Sequence, residues 1–187
     1  MNYALAILEK FLQRATMLLA LVLCVTSPAG AEQLTGGEYA VKAVFLLNFA
    51  KFTQWPAAAF DSEQSSIVLG ICGDDDFGEA LSAIEGKTAG GRKLVVKKLG
   101  QGGELHGCHI LFISASEKWR LQQILSELAG QPVLTVADME NFAEQGGIIS
   151  LGNEGTKIKL TINQAAAQRA GLKISSQLLK IATIVGN

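Results

Sequence analysis

Three consecutive aspartates, Asp74-Asp75-Asp76, follow an apolar run that ends in Cys72. Carboxylates at that density suit a divalent cation, a phosphoacceptor or the cap of a helix. A cation site needs oxygen ligands converging from several positions, and no second acidic cluster stands elsewhere in the sequence. A phosphoacceptor domain needs an aspartate at the end of its third strand, where this chain reads Ser114-Ala115-Ser116. Asp76 and Glu79 have the spacing of a capping box, and Gly73 permits a sharp exit from a strand. The expected role of the aspartates is therefore a helix cap.

Other candidates fare no better as catalysts. "EGKT" at 85–88 resembles part of a phosphate-binding loop, but the glycine that loop requires five positions before Gly86 is Leu81. His106 and His109 flank Cys108, yet alternation along a strand sends Cys108 and His109 to opposite faces. The expectation for both histidines is a strand edge with no ligand role. No serine, cysteine or aspartate sits in a nucleophile motif. The expectation is a protein that is not an enzyme, with no cofactor and no metal. Cys72 and Cys108 remain as a possible redox pair. If their strands are parallel and adjacent, the two residues lie at opposite ends, about 20 Å apart for a six-residue strand, whereas a disulfide needs Cα atoms within about 7 Å. An internal bridge, two buried thiols and an intermolecular link all stay open.

The elements that would carry these residues lie behind a leader. Lys10 and Arg14 precede an apolar run, 15–25, which Thr26-Ser27-Pro28 breaks before the small-residue site Ala29-Gly30-Ala31. This is the pattern of a cleaved signal peptide, expected at 1–31, and the run is shorter than the ~20 apolar residues of a membrane span. Leu23 before Cys24 does not fit a lipid-attachment signal. Residues 32–187 are expected to form one exported, periplasmic domain without stable membrane insertion. Near-balanced charge, 16 basic against 17 acidic residues in the whole chain, gives no reason to expect nucleic acid as a partner.

Along that domain, "EYAVKAVFLLNFAKFTQWP" predicts a packed helix with Val41, Val44, Phe45, Asn48, Phe52 and Trp55 on its apolar face, Lys42 and Lys51 outside, and Pro56 as the stop. Strands are predicted at 66–72, at 92–99 on an edge, at 108–114 in the centre, and in "PVLTVAD". Helices are predicted at 76–85, in "SEKWRLQQILSELAG" with Ser116 as N-cap, at 139–145, after Asn163 as far as Gly171, and in "SSQLLKIATIV". "GIISLGNEGTKIKLTIN" predicts a hairpin turning at Asn153-Glu154-Gly155. The fold class is α/β: a single-domain, mostly parallel sheet flanked by helices on both faces, finished by a C-terminal antiparallel hairpin.

Five separated segments, "EYAVKAVFLLNFAKFTQWP", "GDDDFG", "LHGCHILFIS", "PVLTVADMENFAEQGGIISL" and "TINQAAAQRAGLKISSQLLKIA", together resemble the YfiR family of periplasmic regulatory proteins, over about residues 38–184. The resemblance implies a soluble repressor that binds the periplasmic sensor region of a membrane-anchored, YfiN-type diguanylate cyclase. Holding that enzyme inactive lowers cyclic di-GMP and biofilm formation. It also implies a homodimer and a folded state supported by cysteine oxidation. Family members with that redox role carry a second cysteine pair towards the C-terminal hairpin, and "MENFAEQGGIISLGNEG" has no cysteine, so control through that pair does not carry over. An alternative is a small-molecule-binding module that reports to a histidine kinase or other membrane receptor. Its ligand would be expected at the loops 73–78 and 114–117, at the carboxyl ends of parallel strands.

Overall fold

The computed structural model describes residues 29–74, 76–154 and 157–186. The expected signal segment, 1–31, lies outside them as far as residue 28. The chain divides into two compact units, Met1–Thr35 and Gly36–Asn187. Helix α1, Ala29–Phe52, contains the described part of the first unit, and the second unit holds every strand named below.

Within the second unit the strands are β1 Thr53–Gln54, β2 Ile67–Cys72, β3 Thr88–Ala89, β4 Arg92–Gly100, β5 Ile110–Ile113, β6 Leu134–Ala137, β7 Ile149–Glu154, β8 Lys157–Asn163, β9 Lys173–Ile174 and β10 Thr183–Val185. The helices after α1 are α2 Leu121–Glu127, α3 Gln164–Arg169 and α4 Ser176–Leu179. Among the described residues the main sheet runs β10-β8-β7-β6-β5-β2-β4-β3. Its pairs are parallel except β7 with β8 and β3 with β4. A separate two-stranded sheet pairs β1 with β9 antiparallel. The chain is thus mixed α/β with a mostly parallel sheet.

Alternation along the strands partitions the core. Ile67, Leu69, Ile71, Ile110 and Phe112 cluster with Ala43, Leu46 and Phe49 of α1. Their strand neighbours Cys72, Leu111 and Ile113 cluster instead with Leu121 and Ile124 of α2. Leu46 and Phe49 are fully buried, and each such side chain contributes about 2 kcal/mol through removal from water.

Several predicted elements come out differently. The helix at 38–56 ends at Phe52, and Thr53 and Gln54 pair with β9. Its buried face is Ala43, Leu46, Phe49 and Ala50, while Val41 and Val44 are half exposed and Lys42 is buried. The heptad-like spacing was satisfied by either of two overlapping apolar stripes, and an acidic neighbour at Asp138 draws Lys42 inward. No α-helix forms at 76–85, only a short 3-10 turn at Gly78–Leu81 whose preceding residue, Phe77, makes no side-chain cap. Residues 139–146 are turns, not helix. The 116–130 helix begins as a 3-10 segment, Ala115–Arg120, capped by Ser114, not Ser116. The last predicted helix is four residues long, and the chain then returns as β10, parallel to β8. The antiparallel pair β7–β8 is therefore followed by a further strand, and its pairing runs through Glu154 to Lys157. Asn163 does cap α3, accepting from the Ala166 amide at 2.8 Å.

Candidate functional site

β2 is flanked by β4 on one side and β5 on the other, so the chain leaves β2 in one direction and later crosses back. That reversal is the switch point of an open parallel sheet, where loops leaving the carboxyl ends of the strands diverge and a ligand crevice normally opens. Here the two loops close on each other. Gly73, at φ 93°, leaves β2 in a left-handed conformation, and its amide donates to the Gly100 carbonyl at 2.9 Å. A Cβ at this position would lie 2.5 Å from Ser116 Oγ and 2.8 Å from Glu117 Cγ, so only glycine fits. The Asp74 amide donates to Ser116 Oγ at 2.9 Å, and the Ser114 amide donates to the Cys72 carbonyl at 2.9 Å. Of the loops 73–78 and 114–117, where a small molecule was expected, Gly73 and Asp74 thus pack on and bond to residues of 114–117.

The aspartates split accordingly. Asp74 accepts from Gln101 Nε2 at 3.1 Å. Asp76 is close enough for its charge to act on the Tyr39 hydroxyl, and the turn after it has no side-chain cap. Asp75 lies outside the described residues.

Behind this seam lies a buried ionic cluster that the sequence reading missed. Lys42 Nζ, on α1, donates to Asp138 Oδ2 at 2.7 Å, just past β6, and pairs with Glu38 one turn earlier. Tyr39 donates to the same Asp138 oxygen at 3.0 Å, and Asn153 Nδ2 of β7 donates to Glu38 at 3.0 Å. Hydrogen bonds from Lys42 and then Asn153 hold the Glu38 carboxyl below its ordinary pKa, while burial first and Asp138 second push the Tyr39 hydroxyl far up. The Glu38–Lys42 spacing, i to i+4, was the available signal. Glu117 is a second buried acid: fully inaccessible, it accepts from Arg120 Nη1 at 3.0 Å through one oxygen, while the other has no partner among the described residues.

Cys72 and Cys108 are both buried and free, and both belong to the cluster packed on α2. β2 and β5 are parallel neighbours with Cys72 opposite Ile113, which places Cys108 five positions earlier along the chain. Cys108 Sγ fills the space over Gly70, where a Cβ would come within 2.6 Å of the sulfur. Burial, then the Glu117 charge, pushes the Cys72 thiol up to about 11, and burial raises Cys108. At neutral pH both are protonated thiols, which are poor nucleophiles.

His109, expected at a strand edge, is instead a buried pin. Its Nδ1 accepts from the Val68 amide at 3.1 Å, which assigns the proton to Nε2, and that nitrogen donates to the Ala59 carbonyl at 3.0 Å. Phe60 stacks on its ring, 4.4 Å between centroids, and Trp55 Nε1 donates to the His109 carbonyl at 3.1 Å. His106 is exposed, with its Nε2 4.0 Å from Glu127.

Hydrogen bonds between its own loops cross the switch point of this mostly parallel α/β domain, and its buried acids Asp138 and Glu117 pair with Lys42 and Arg120. The YfiR/HmsC-like family model matches residues 39–183, and this chain belongs to that family. Membership suggests a periplasmic regulator of diguanylate cyclase signalling with a membrane signalling partner, from a regulatory and not a catalytic family. No described helix is long and apolar enough to cross a membrane.

Proposed function

We propose that this protein is exported with removal of residues 1–31, and that residues 32–187 act in the periplasm as a homodimeric inhibitor of a membrane-anchored diguanylate cyclase. Binding to the cyclase's periplasmic sensor region would keep it inactive, lowering cyclic di-GMP and biofilm formation. The single observation behind this reading is the family match across residues 39–183. A protein with this role needs a surface and no reaction centre. The two thiols, Cys72 and Cys108, are the residues through which oxidation would act on it, and their depth requires local opening first. Deleting the gene should raise cellular cyclic di-GMP and restoring it should lower the level again. Unchanged cyclic di-GMP, with no membrane cyclase co-purifying with the tagged protein, would overturn the proposal.

A further inference from the structure

At the amino-terminal end of β2 and β4, opposite the closed switch point, lies a cavity of about 450 Å³ lined in part by Lys51, Thr53, Gln54, Trp55, Phe60 and Arg92. That volume is in the range of small-molecule sites. No aspartate or glutamate lines it. Both of its cations lack a carboxylate partner among the described residues, in a chain of formal net charge −1. Asp61, close enough for its charge to act on His109, makes no ion pair with Arg92.

Arg92 is fixed in place. Its Nη1 donates to the carbonyls of Ser62, Glu63 and Ser65 at 2.8, 2.9 and 2.7 Å, and the guanidinium carbon stands 3.7 Å from the Phe60 ring centroid. Phe60 is in turn stacked on His109. The remaining guanidinium donors, Nη2 and Nε, bond to no protein atom among the described residues. Thr53 lines the same cavity, but its Oγ1 is buried out of reach of it and has no hydrogen-bond partner among the described residues. Trp55 spends its only donor on the His109 carbonyl, which leaves its ring as an apolar wall. A held guanidinium, a lysine and an aromatic wall, with no acid in the lining, form an anion receptor with an apolar side.

We propose that this cavity binds a small organic anion, a carboxylate or phosphomonoester carried on an apolar, ring-sized body, with Arg92 and Lys51 on the charged head and Trp55 against the ring. The inference does not rest on the regulatory reading and would stand if the cyclase partner were disproved.

The test uses the exported chain with Trp119→Phe, which leaves Trp55 as its only tryptophan. Benzoate, phenyl phosphate, inorganic phosphate and the neutral benzamide are titrated by fluorescence, with calorimetry alongside. One or both ring-bearing anions should bind saturably, about tenfold or more tighter than benzamide, and the tighter of the two identifies the head group. Inorganic phosphate should bind more weakly than phenyl phosphate. Arg92→Gln should weaken binding at least about tenfold. Because that change also frees three carbonyls, Lys51→Gln serves as the folded control. It should weaken binding about tenfold while leaving Tm unchanged, since Lys51 is exposed. Absence of saturable binding, benzamide binding equally well, or wild-type affinity in Lys51→Gln would overturn the site. Inorganic phosphate binding as tightly as phenyl phosphate would overturn the apolar half of the assignment.

Discussion

Lys42 shows how a single charge is placed by its partners more than by its neighbours in sequence. It is 2% exposed, and both carboxylates it meets are themselves tied by Tyr39 and Asn153. Removing the cation leaves Asp138 as a buried charge with only a phenol to answer it. Lys42→Met should therefore cost about 3 kcal/mol in urea unfolding, and adding Asp138→Leu should recover part of that loss. His109 has the opposite dependence on solvent. Burial, with Arg92 nearby, lowers its pKa below the ordinary 6.5, against weaker raising by the Ala59 carbonyl and Asp61. The unfolded chain thus binds the proton first as pH falls. The stability His109 supplies is complete above about pH 6.5 and is lost as pH drops through the folded value. Unfolding midpoints measured across that range should fall with pH, and the part due to this residue should vanish in His109→Gln. The thiols give a third expectation: Cys72 and Cys108 should react with a thiol reagent at pH 8 only slowly in the native protein and at once in denaturant, because both are buried and protonated.

At the scale of elements, Gly70 and Cys108 join β2 to the approach of β5 by removal of one side chain. Gly70→Ala should destabilise by about 1–3 kcal/mol through overpacking. Cys108→Ala in the same chain should relieve most of the clash, so the two changes should be strongly non-additive in a double-mutant cycle. Strands of mostly apolar residues, β2, β5 and β6, were legible in the sequence because no helical period competes with them over four to six residues. The Asn163 cap was legible because its bond is local. Less was legible where a tertiary contact decided the outcome. Val41 and Val44 matched the apolar spacing as well as Leu46 and Phe49 did, and only docking on β2 and β5 separates the two stripes. Asp76 had a capping partner in Glu79, but no α-helix forms there for it to cap. The strand β10 was hidden because Thr183–Val185 is three residues long and follows a helical turn without a breaker. Of the site residues, Cys72 and Cys108 stood out by type, whereas Glu117, Lys42, Asp138 and Arg92 are conspicuous only once burial is known.

For the molecule as a whole, the sheet order separates two ends with different characters. The carboxyl end of the parallel strands is sealed by Gly73, Ser114 and Ser116 and locked by the Lys42 cluster, while the cavity at the amino end is lined by Arg92 and Lys51 and by no acid. Breaking the seal should be felt globally: Gly73→Ala must strain the backbone and displace Ser116, and a loss of about 2–4 kcal/mol with a matching fall in Tm is expected. The Lys42 cluster also sets an order of assembly. Tyr39 and Lys42 lie 99 and 96 residues before Asp138, and Glu38 lies 115 before Asn153. Contacts this distant close late in folding, after the local pairings among β2, β4 and β5. As the chain grows from its amino terminus, the face bearing Leu46 and Phe49 must wait, uncovered, until the strands it will lie on have been made. The apolar face of α1 is thus long exposed to aggregation, and a holding chaperone would have reason to grip it.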